Sequence, residues 1–511
     1  MSLAPPYGLR DPAHPVRGRQ ALIRRVTRNL SGKGMRYVHV LHGMGGCGKT
    51  AVALEAAQIA QSRGLPVWWI EAAETPVIMA SLQAVGRQVG VPDEDALAPE
   101  ALDRIWEHLR DEPEPWLLVI NNINDLTLLS PDDNDLAEGR GLIRPLMRGR
   151  GTVIVTTRTG SREVWGSGWS VLHHVGDLDP EDAGQVLMDR TVGHAGLVDD
   201  AISLGSRLGG LPLALNLASA YLSNVASLPI TWRDTSTVAT FSALEKAFEQ
   251  GRFTLSDEAG QAALIERLWG VTLSWLDRRG MPEARALLGL LCHFAEYPIP
   301  EAVLHPHTLA ESGLLGAVDG IRLRLLVNEL SNVNLVETST RAVIEEGKVS
   351  PVPAIRVHPL LRATLRASIN ADERRSYVSV AVGLIRHWTD ANEDPHGPEA
   401  WPTWQLISPH AIYLSSEVDD TTLPTQTKAI EAAAQASRHL QRSGGLTRLT
   451  VNLTPRSAQA LDALHEATAI GKTDIVNRAL QLYKFVQEAE ERGQQIELRD
   501  PDGTVHRVQF L

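Results

Sequence analysis

The sequence has few cysteines and no long apolar run. Its two thiols, Cys47 and Cys292, have no metal-ligand spacing and provide no disulfide framework, so a reducing compartment is expected. No apolar run approaches the roughly 20 residues of a membrane span. The N-terminal stretch "MSLAPPYGLRDPAHP" has no apolar segment of the kind a signal peptide carries. These absences predict a cytoplasmic protein without membrane association.

An excess of positive charge is also missing. The 49 lysines and arginines are outnumbered by 61 acidic residues, which gives a net charge of −12. This balance argues against a protein that coats nucleic acid, although a small basic patch would be hidden in the total. We find no internal repeat of fixed period. A chain of 511 residues, 43% of them hydrophobic, is expected to form three or four domains with sizeable cores.

A glycine-rich stretch, "LHGMGGCGKT", carries the clearest chemistry. It follows the apolar run "VHVL" and precedes a helical pattern that ends at Gly64. Strand, loop and helix are the context that a P-loop requires, and Gly43, Gly48, Lys49 and Thr50 match G-x-x-x-x-G-K-S/T. In such a loop the backbone N–H groups and the lysine bind phosphates, while the hydroxyl group faces Mg²⁺. The stretch predicts nucleotide binding.

The acidic residue expected on the metal side is absent. The stretches "LPVWWIEA", "PWLLVINNIND" and "GTVIVTTRT" alternate with helical patterns, which predicts a parallel α/β sheet. "WLLVI" ends where a hydrolytic P-loop enzyme places an aspartate, but Asn121 and Asn122 stand there and Asp125 is the nearest acid. A neutral amide binds a hard cation less well than a carboxylate. Slow turnover is therefore predicted, with the alternative that Asp125 or a neighbour replaces the missing acid.

Three further residues are weaker candidates when each is taken alone. Arg158 follows a β-branched strand, so it belongs either at the phosphate end of the sheet or on the surface. "GLPLAL" fits a buried helix start with Pro212 at its first position. His358 in "RVHPLL" has no local feature that separates a ligand from a packed or exposed histidine.

Together these motifs resemble the NB-ARC branch of the STAND NTPases, the nucleotide-binding domain of plant disease-resistance proteins, apoptosome ATPases and actinobacterial relatives. "VRGRQ" is similar to the lead-in that lines the adenine pocket, and "VIVTTR" to the sensor strand whose arginine feels the γ-phosphate. "GGLPLAL" is similar to the lid whose proline packs on the base. "RVHPLL" is similar to the winged-helix motif whose histidine contacts the β-phosphate of ADP. Asn121 and Pro359 depart from the residues usual in that family.

The resemblance implies an ATP or ADP site with Mg²⁺. Its implied nucleotide-binding residues are Val16, Arg17, Arg19, Gly43, Gly45, Gly46, Cys47, Gly48, Lys49, Thr50, Ala51, Pro212 and His358. Thr50 would also contact Mg²⁺, and Asn121, Asp125 and Arg158 occupy the catalytic positions.

The predicted fold is multidomain, α/β plus α. Its parts are an N-terminal lead-in (1–35), a parallel-sheet P-loop NTPase domain (36–170), a helical lid (171–254), a winged helix (255–370), a helical connector (371–445) and a C-terminal ribbon-helix-helix module with a terminal hairpin (446–511).

The C-terminal module is predicted from one alternating strand, "LTRLTVNL", and two capped helices. One strand and two helices cannot close a core alone, and the pattern resembles the ribbon-helix-helix fold of the Arc and MetJ repressors, in which two chains pair their strands. A homodimer or higher oligomer that binds double-stranded DNA is expected. The candidate DNA contacts are Arg448, Thr450, Asn452 and Thr473. Four basic against three acidic residues between 446 and 478 leave a net charge of only +1, so dimerisation alone is the rival interpretation.

Three functions follow from these patterns. The first is a nucleotide switch that controls a DNA-binding dimer, hence a transcriptional regulator. The second is an NTP-dependent oligomerising protein of defence or stress signalling, in which the C-terminal module only joins chains. The third is an ordinary ATPase, against which Asn121 argues.

Overall fold

The computed structural model describes most of the chain. The described residues are 3–6, 14–31, 37–72, 74–92, 101–130, 136–146, 149–166, 168–226, 238–249, 258–345, 348–392, 401–418, 422–444, 496–499 and 505–508. The chain divides into two compact units after Thr447, two residues beyond the boundary predicted at 445.

A five-stranded parallel sheet forms the centre of the first unit. Its strands are β1 (Val38–His42), β2 (Val67–Glu71), β3 (Trp116–Ile123), β4 (Gly151–Thr157) and β5 (Ser170–His174), in the order β2-β3-β4-β1-β5. The predicted parallel α/β sheet is therefore confirmed. The boundary predicted at 170 is too early, because β5 pairs in parallel with β1 up to His174. The short, histidine-containing run "SVLHH" lacks the apolar pattern that marked the other strands.

Helices cover both faces of this sheet. They are α1 (Gln20–Thr27) and α2 (Lys49–Ser62) on one face, and α3 (Thr75–Gln88) and α4 (Ala101–Asp111) on the other. Successive strand residues point to opposite faces, so Val119 packs with α1 and α2 while Ile120 packs with α3 and α4. Burial on both sides explains why the strands are continuously apolar in sequence.

The segment predicted to be a helical lid, called the lid below, follows the short helix α5 (Arg162–Trp165) and β5. Its helices are α6 (Pro180–Thr191), α7 (Val198–Arg207), α8 (Pro212–Ala226) and α9 (Phe241–Glu249). Helix α8 begins at Pro212, where a proline is tolerated because the first helical N–H has no intrahelical partner.

Residues 258–368 contain a small antiparallel sheet among helices. The elements are α10 (Glu258–Arg278), α11 (Glu283–Leu291), β6 (Ile299–Pro300), α12 (Pro306–Glu311), α13 (Gly320–Asn332), β7 (Glu337–Glu345), β8 (Lys348–Arg356) and α14 (Pro359–Ser368). The sheet order is β6-β8-β7. From α11 onward, the elements come in the order helix, strand, two helices and hairpin. Residues 283–368 lie within the segment predicted to be a winged helix, which stays a prediction, and are called the winged-helix region below.

In the predicted connector, residues 371–392, 401–418 and 422–444 are described, and they contain three helices. They are α15 (Ala371–Ala391), α16 (Trp401–Ser416) and α17 (Leu423–Gly444). Their buried side chains, such as Trp388 and Trp404, share one hydrophobic core with the lid and the winged-helix region. Among the helices that the structure describes, none is long and apolar enough to cross a membrane.

The second unit is described only at its end. Strands β9 (Ile496–Arg499) and β10 (Val505–Val508) pair antiparallel, as expected for the hairpin predicted at the end of the chain. The predicted ribbon strand, its two helices and the four candidate DNA contacts lie outside the described residues, so they stay predictions.

Candidate nucleotide-binding site

The loop between β1 and α2 has the backbone of a phosphate-binding loop. Gly43, Gly46 and Gly48 have φ angles of 151°, 82° and 96°, which residues other than glycine rarely adopt. A methyl group on Gly43 would lie 2.4 Å from the carbonyl oxygen of Val175. Helix α2 begins at Lys49, so its first N–H groups and the positive end of its dipole face the loop.

Lys49 spans this loop. Its ammonium group donates hydrogen bonds to the carbonyl oxygens of Gly43, at 2.8 Å, and Met44, at 2.7 Å. It also lies 3.8 Å from the sulfur of Cys47, whose pKa is raised by burial, so the thiol is neutral. Lys49 therefore supplies positive charge at the loop, where a nucleotide would place its phosphates.

A cavity of about 110 Å³ lies beside the loop. It is lined by His14, Pro15, Val16, Arg17, Arg19, Cys47, Gly48, Ala51, Leu178, Val186, Asp189, Arg190, Pro212 and Asn216. Seven of these residues were predicted nucleotide-binding residues, from the lead-in, the P-loop and the lid. A cavity with apolar walls and a few polar groups suits a nucleobase.

Polar groups from distant segments close this cavity. Arg17 forms a two-point ion pair with Asp189 of α6, at 2.8 and 3.1 Å, and so joins the lead-in to the lid. Arg19 donates to the carbonyl oxygens of Cys47, at 3.3 Å, and Gly176. The sequence had not pointed to Asp189, because an acid on an amphipathic helix normally faces solvent.

The lid contacts the P-loop directly. The N–H of Leu213 donates to the carbonyl oxygen of Gly46 at 3.2 Å. A methyl group on Gly46 would lie 3.0 Å from Cβ of Leu213, and one on Gly48 would lie 3.7 Å from Cγ of Pro212. The start of α8 is thus seated on the loop.

The winged-helix region reaches the loop from another side. His358 caps α14, and its Nδ1 accepts from the N–H of Leu360 at 3.1 Å. Burial, followed by the charges of Arg356, Lys49 and Arg158, lowers the pKa of His358 to about 3. A methyl group on Gly45 would lie 3.5 Å from Leu360 and 3.7 Å from the Arg158 guanidinium. A neutral imidazole and an arginine therefore lie near the loop, while the nucleotide contacts predicted for His358 and Arg158 stay predictions.

Asn121 near the end of β3 is fully buried, and both polar atoms of its side chain form hydrogen bonds. Its Oδ1 accepts from the hydroxyl groups of Thr50, at 3.0 Å, and Thr156, at 2.8 Å. Its Nδ2 donates to Glu71 at 2.9 Å. Both lone pairs of the amide oxygen are used, so Asn121 is not available as a metal ligand.

The residues present fit Mg²⁺ only in part. Thr50 gives its proton to Asn121, so its oxygen retains lone pairs, and Mg²⁺ is commonly held by one or two protein oxygens together with phosphates. Asp125 is exposed and caps the short helix Leu126–Leu129. Its carboxylate accepts hydrogen bonds from the N–H and the hydroxyl group of Thr127. This engagement does not support the role expected of Asp125. Within the described residues no group of three or more His, Cys, Asp or Glu is arranged for a metal ion.

The acid nearest Asn121 is Glu71, at the end of β2. It is 7% exposed and forms a two-point ion pair with Arg356, which is 8% exposed, at 3.1 and 3.3 Å. Burial lowers the pKa of Arg356, but the neighbouring carboxylates, Glu71 foremost, outweigh this effect and raise it, so the guanidinium stays charged. Sequence reasoning missed Glu71, although an acid that ends the apolar strand "VWWIE" was a usable signal.

A second set of contacts joins β3 to the winged-helix region. Asn122, with a φ angle of 71°, donates to Glu296 at 2.9 Å, and Asn124 donates to the same carboxylate oxygen at 3.3 Å. Arg362 of α14 binds the other oxygen of Glu296 at 3.2 Å. The asparagines that replace the expected acid therefore hold the winged-helix region against the sheet.

No family model matches the chain. The chain is 26% identical, over 311 aligned residues, to a nucleotide-binding leucine-rich repeat (NLR)-like protein of Hyaloscypha variabilis. The match covers 57% of this chain and 30% of that protein, so the chain spans about a third of its length.

Two solved structures show weaker likeness. A STAND protein with a tetratricopeptide repeat sensor from Pyrococcus horikoshii aligns with a TM-score of 0.44 and 16% identity, over 94% of this chain and 66% of that one. The ORC1 protein of Aeropyrum pernix, solved in complex with DNA, aligns with a TM-score of 0.31 and 15% identity, over 72% of this chain and 97% of that one. Both scores lie below 0.5, so neither assigns the fold. The NLR-like relative and the P-loop geometry together support a P-loop NTPase similar to the NB-ARC and STAND proteins.

Proposed function

We propose that the chain is an ADP- and ATP-binding signalling switch of the STAND type. The observation that carries the proposal is that four separate segments meet at one loop. The lead-in and the lid line the base cavity, while Arg158 and the start of α14 lie beside Gly45. A nucleotide bound there would contact all four segments, and whether it carries two or three phosphates would decide how well the segments pack around it.

Slow hydrolysis suits such a switch. The residue that faces Thr50 is the amide of Asn121, and the nearest carboxylate is neutralised by Arg356. A site with little charge on its metal side binds a nucleotide through the P-loop but accelerates phosphate loss poorly. We expect turnover far below the ordinary enzyme rate of about 10 per second.

The test of nucleotide binding uses the purified full chain and Lys49→Ala. Wild type should carry ADP or ATP, detected by chromatography of a denatured extract, and Lys49→Ala should lose it. Lys246→Ala, on an exposed position of α9, is the matched control and should retain it. Wild type without nucleotide, or Lys49→Ala with as much as wild type, would contradict the proposal.

We propose further that the switch controls a dimeric DNA-binding module at the C-terminus, which makes the protein a transcriptional regulator. This rests on the alternating strand and capped helices of the sequence. The full chain should select an inverted-repeat site from random DNA. Arg448→Ala should weaken that site by about 1–3 kcal/mol and relax its specificity, whereas a change at Thr473 should weaken all sites alike.

The alternative is a nucleotide-dependent oligomerising protein of defence or stress signalling. In that case the module only joins chains. Dimers or larger oligomers that retain no DNA even at low salt would favour this function over the first.

A further inference from the structure

Glu71 occupies a position that no motif assigns. It ends β2 directly opposite Asn121 in the parallel ladder, and its carboxylate accepts from the Asn121 amide at 2.9 Å. The same carboxylate accepts from the indole N–H of Trp69 at 2.9 Å. A chain of hydrogen bonds thus runs from Thr50 through Asn121 to Glu71.

This chain fixes the orientation of the Asn121 amide. Two hydroxyl donors at Oδ1 and a carboxylate acceptor at Nδ2 satisfy the side chain in one orientation only. Glu71 therefore determines that the Asn121 oxygen faces Thr50. Because Thr50 donates its proton there, Glu71 also determines that the Thr50 lone pairs remain available on the P-loop side.

The charge of Glu71 is cancelled from another part of the fold. Arg356 ends β8 of the winged-helix region, 285 residues away in sequence, and its guanidinium forms two hydrogen bonds to the carboxylate. Both groups are buried, so their attraction is screened far less than at the surface. While the winged-helix region is docked, Thr50, Asn121, Glu71 and Arg356 carry no net charge.

We propose that Glu71 is the carboxylate of the nucleotide site's metal side, and that Arg356 switches its charge off when the winged-helix region docks. Glu71 is a positioning residue, because it acts on Thr50 through Asn121. The inference rests on the proposed nucleotide switch and adds the means by which the divalent cation and the winged-helix region influence each other.

The direction of this coupling follows from electrostatics. When Arg356 is undocked, the negative charge of Glu71 is no longer neutralised. Only Asn121 lies between Glu71 and Thr50 in the hydrogen-bond chain, so this charge favours a divalent cation at Thr50. Coupling between two binding equilibria is reciprocal, so Mg²⁺ bound with nucleotide weakens docking to the same extent that docking weakens Mg²⁺. Nucleotide without metal does not oppose docking in this way.

The test compares nucleotide affinity with excess Mg²⁺ and with a chelator, by calorimetry on the full chain with ADP as the probe. The ratio of the two affinities, the magnesium enhancement, is the quantity of interest. Arg356→Met should raise the enhancement about tenfold, the lower end of the usual effect of residues that orient metal ligands. In Glu71→Gln, and in the double variant with Arg356→Met added, the magnesium enhancement should stay at or below the wild-type value.

Arg362→Met is the matched control. It removes an arginine that binds Glu296, from the same region and against the same strand end, but it leaves Glu71 and Arg356 paired. Its magnesium enhancement should stay at the wild-type value. An equal rise in Arg362→Met and Arg356→Met would overturn the inference, because loosening of the region would then suffice. So would a rise in Arg356→Met that persists when Glu71→Gln is added.

A second measurement reports on docking and not on affinity. Amide hydrogen exchange in β8 should be faster with Mg²⁺ and ADP than with ADP and chelator in wild type, and this difference should vanish in Glu71→Gln. An equal difference in both proteins would overturn the inference. If Arg356→Met does not fold, wild type and Glu71→Gln still decide the matter through this measurement. A wild type that binds no ADP would instead refute the proposed function.

Discussion

Asn121→Asp would place a second carboxylate against Glu71. The contact from Asn121 Nδ2 to Glu71 is 2.9 Å, and two negative charges at that distance repel by about 6 kcal/mol at an effective dielectric constant of about 20. Proton uptake by one carboxyl relieves the repulsion. Relative to an ordinary aspartate pKa of about 3.9, that uptake costs about 4 kcal/mol at pH 7 and about 2 kcal/mol at pH 5.5.

The variant should therefore be destabilised by at most about 4 kcal/mol at pH 7. This value is an upper limit because the positive charge of Arg356 offsets part of the repulsion between the two carboxylates. The folded-state pKa of the new carboxyl pair is raised, so the folded protein binds more protons and stability falls as pH rises from about 4 toward 7. Denaturant unfolding at pH 5.5 and pH 7, with wild type subtracted, measures this. The double variant Asn121→Asp with Glu71→Gln again pairs one amide with one carboxylate, so it should regain most of the lost stability. Equal stability of Asn121→Asp and wild type at pH 7 would refute the reasoning.

Three other predictions concern the site and the sheet beside it. His358→Ala removes the cap of α14 beside the P-loop, so bound nucleotide should exchange faster or the oligomeric state should change. Release of fluorescent ADP and light scattering measure the two effects. If neither changes, the role of the histidine is structural only. The pKa values of His39 and His173, which share a buried hydrogen bond of 2.9 Å, are lowered to about 4, chiefly by burial. The unfolded chain takes up protons first, so stability should fall as pH drops from 6.5 to 4, and this loss should be smaller in a variant with leucine at both positions, as followed by thermal unfolding. Arg17→Met breaks a partly exposed ion pair to Asp189, so stability should change by about 1 kcal/mol or less while ADP is released several-fold faster; unchanged release would mean that the pair does not hold the cavity closed.

The P-loop could be predicted from sequence because its signals are local. Glycines with positive φ angles, the lysine at the start of α2 and the flanking strand all lie within a short stretch. Pro212 and Val16 were placed in the site only through the resemblance, and the structure brings both to the cavity beside Gly48. The cavity itself follows from the contact of α8 with the P-loop and of α6 with the lead-in, which a sequence pattern does not specify.

The pairing of Glu71 with Arg356 had no sequence signal of its own. The two residues are 285 positions apart, and each is an ordinary charged residue at the end of an apolar strand. Only the docking of the winged-helix region makes them partners. The missing acid on β3 is visible in the sequence, but what replaces it is not. Asn121 donates to Glu71 on the neighbouring strand, and Asn122 donates to Glu296, a contact that depends on that docking.

The two asparagines at the end of β3 occupy positions where an acid would face another carboxylate. An aspartate at position 121 would face Glu71, and one at position 122 would face Glu296, each at the 2.9 Å now spanned by an amide. Either substitution thus meets a carboxylate that already holds the winged-helix region. An acid at position 121 or 122 is compatible with this arrangement only when the facing carboxylate, Glu71 or Glu296, is replaced as well.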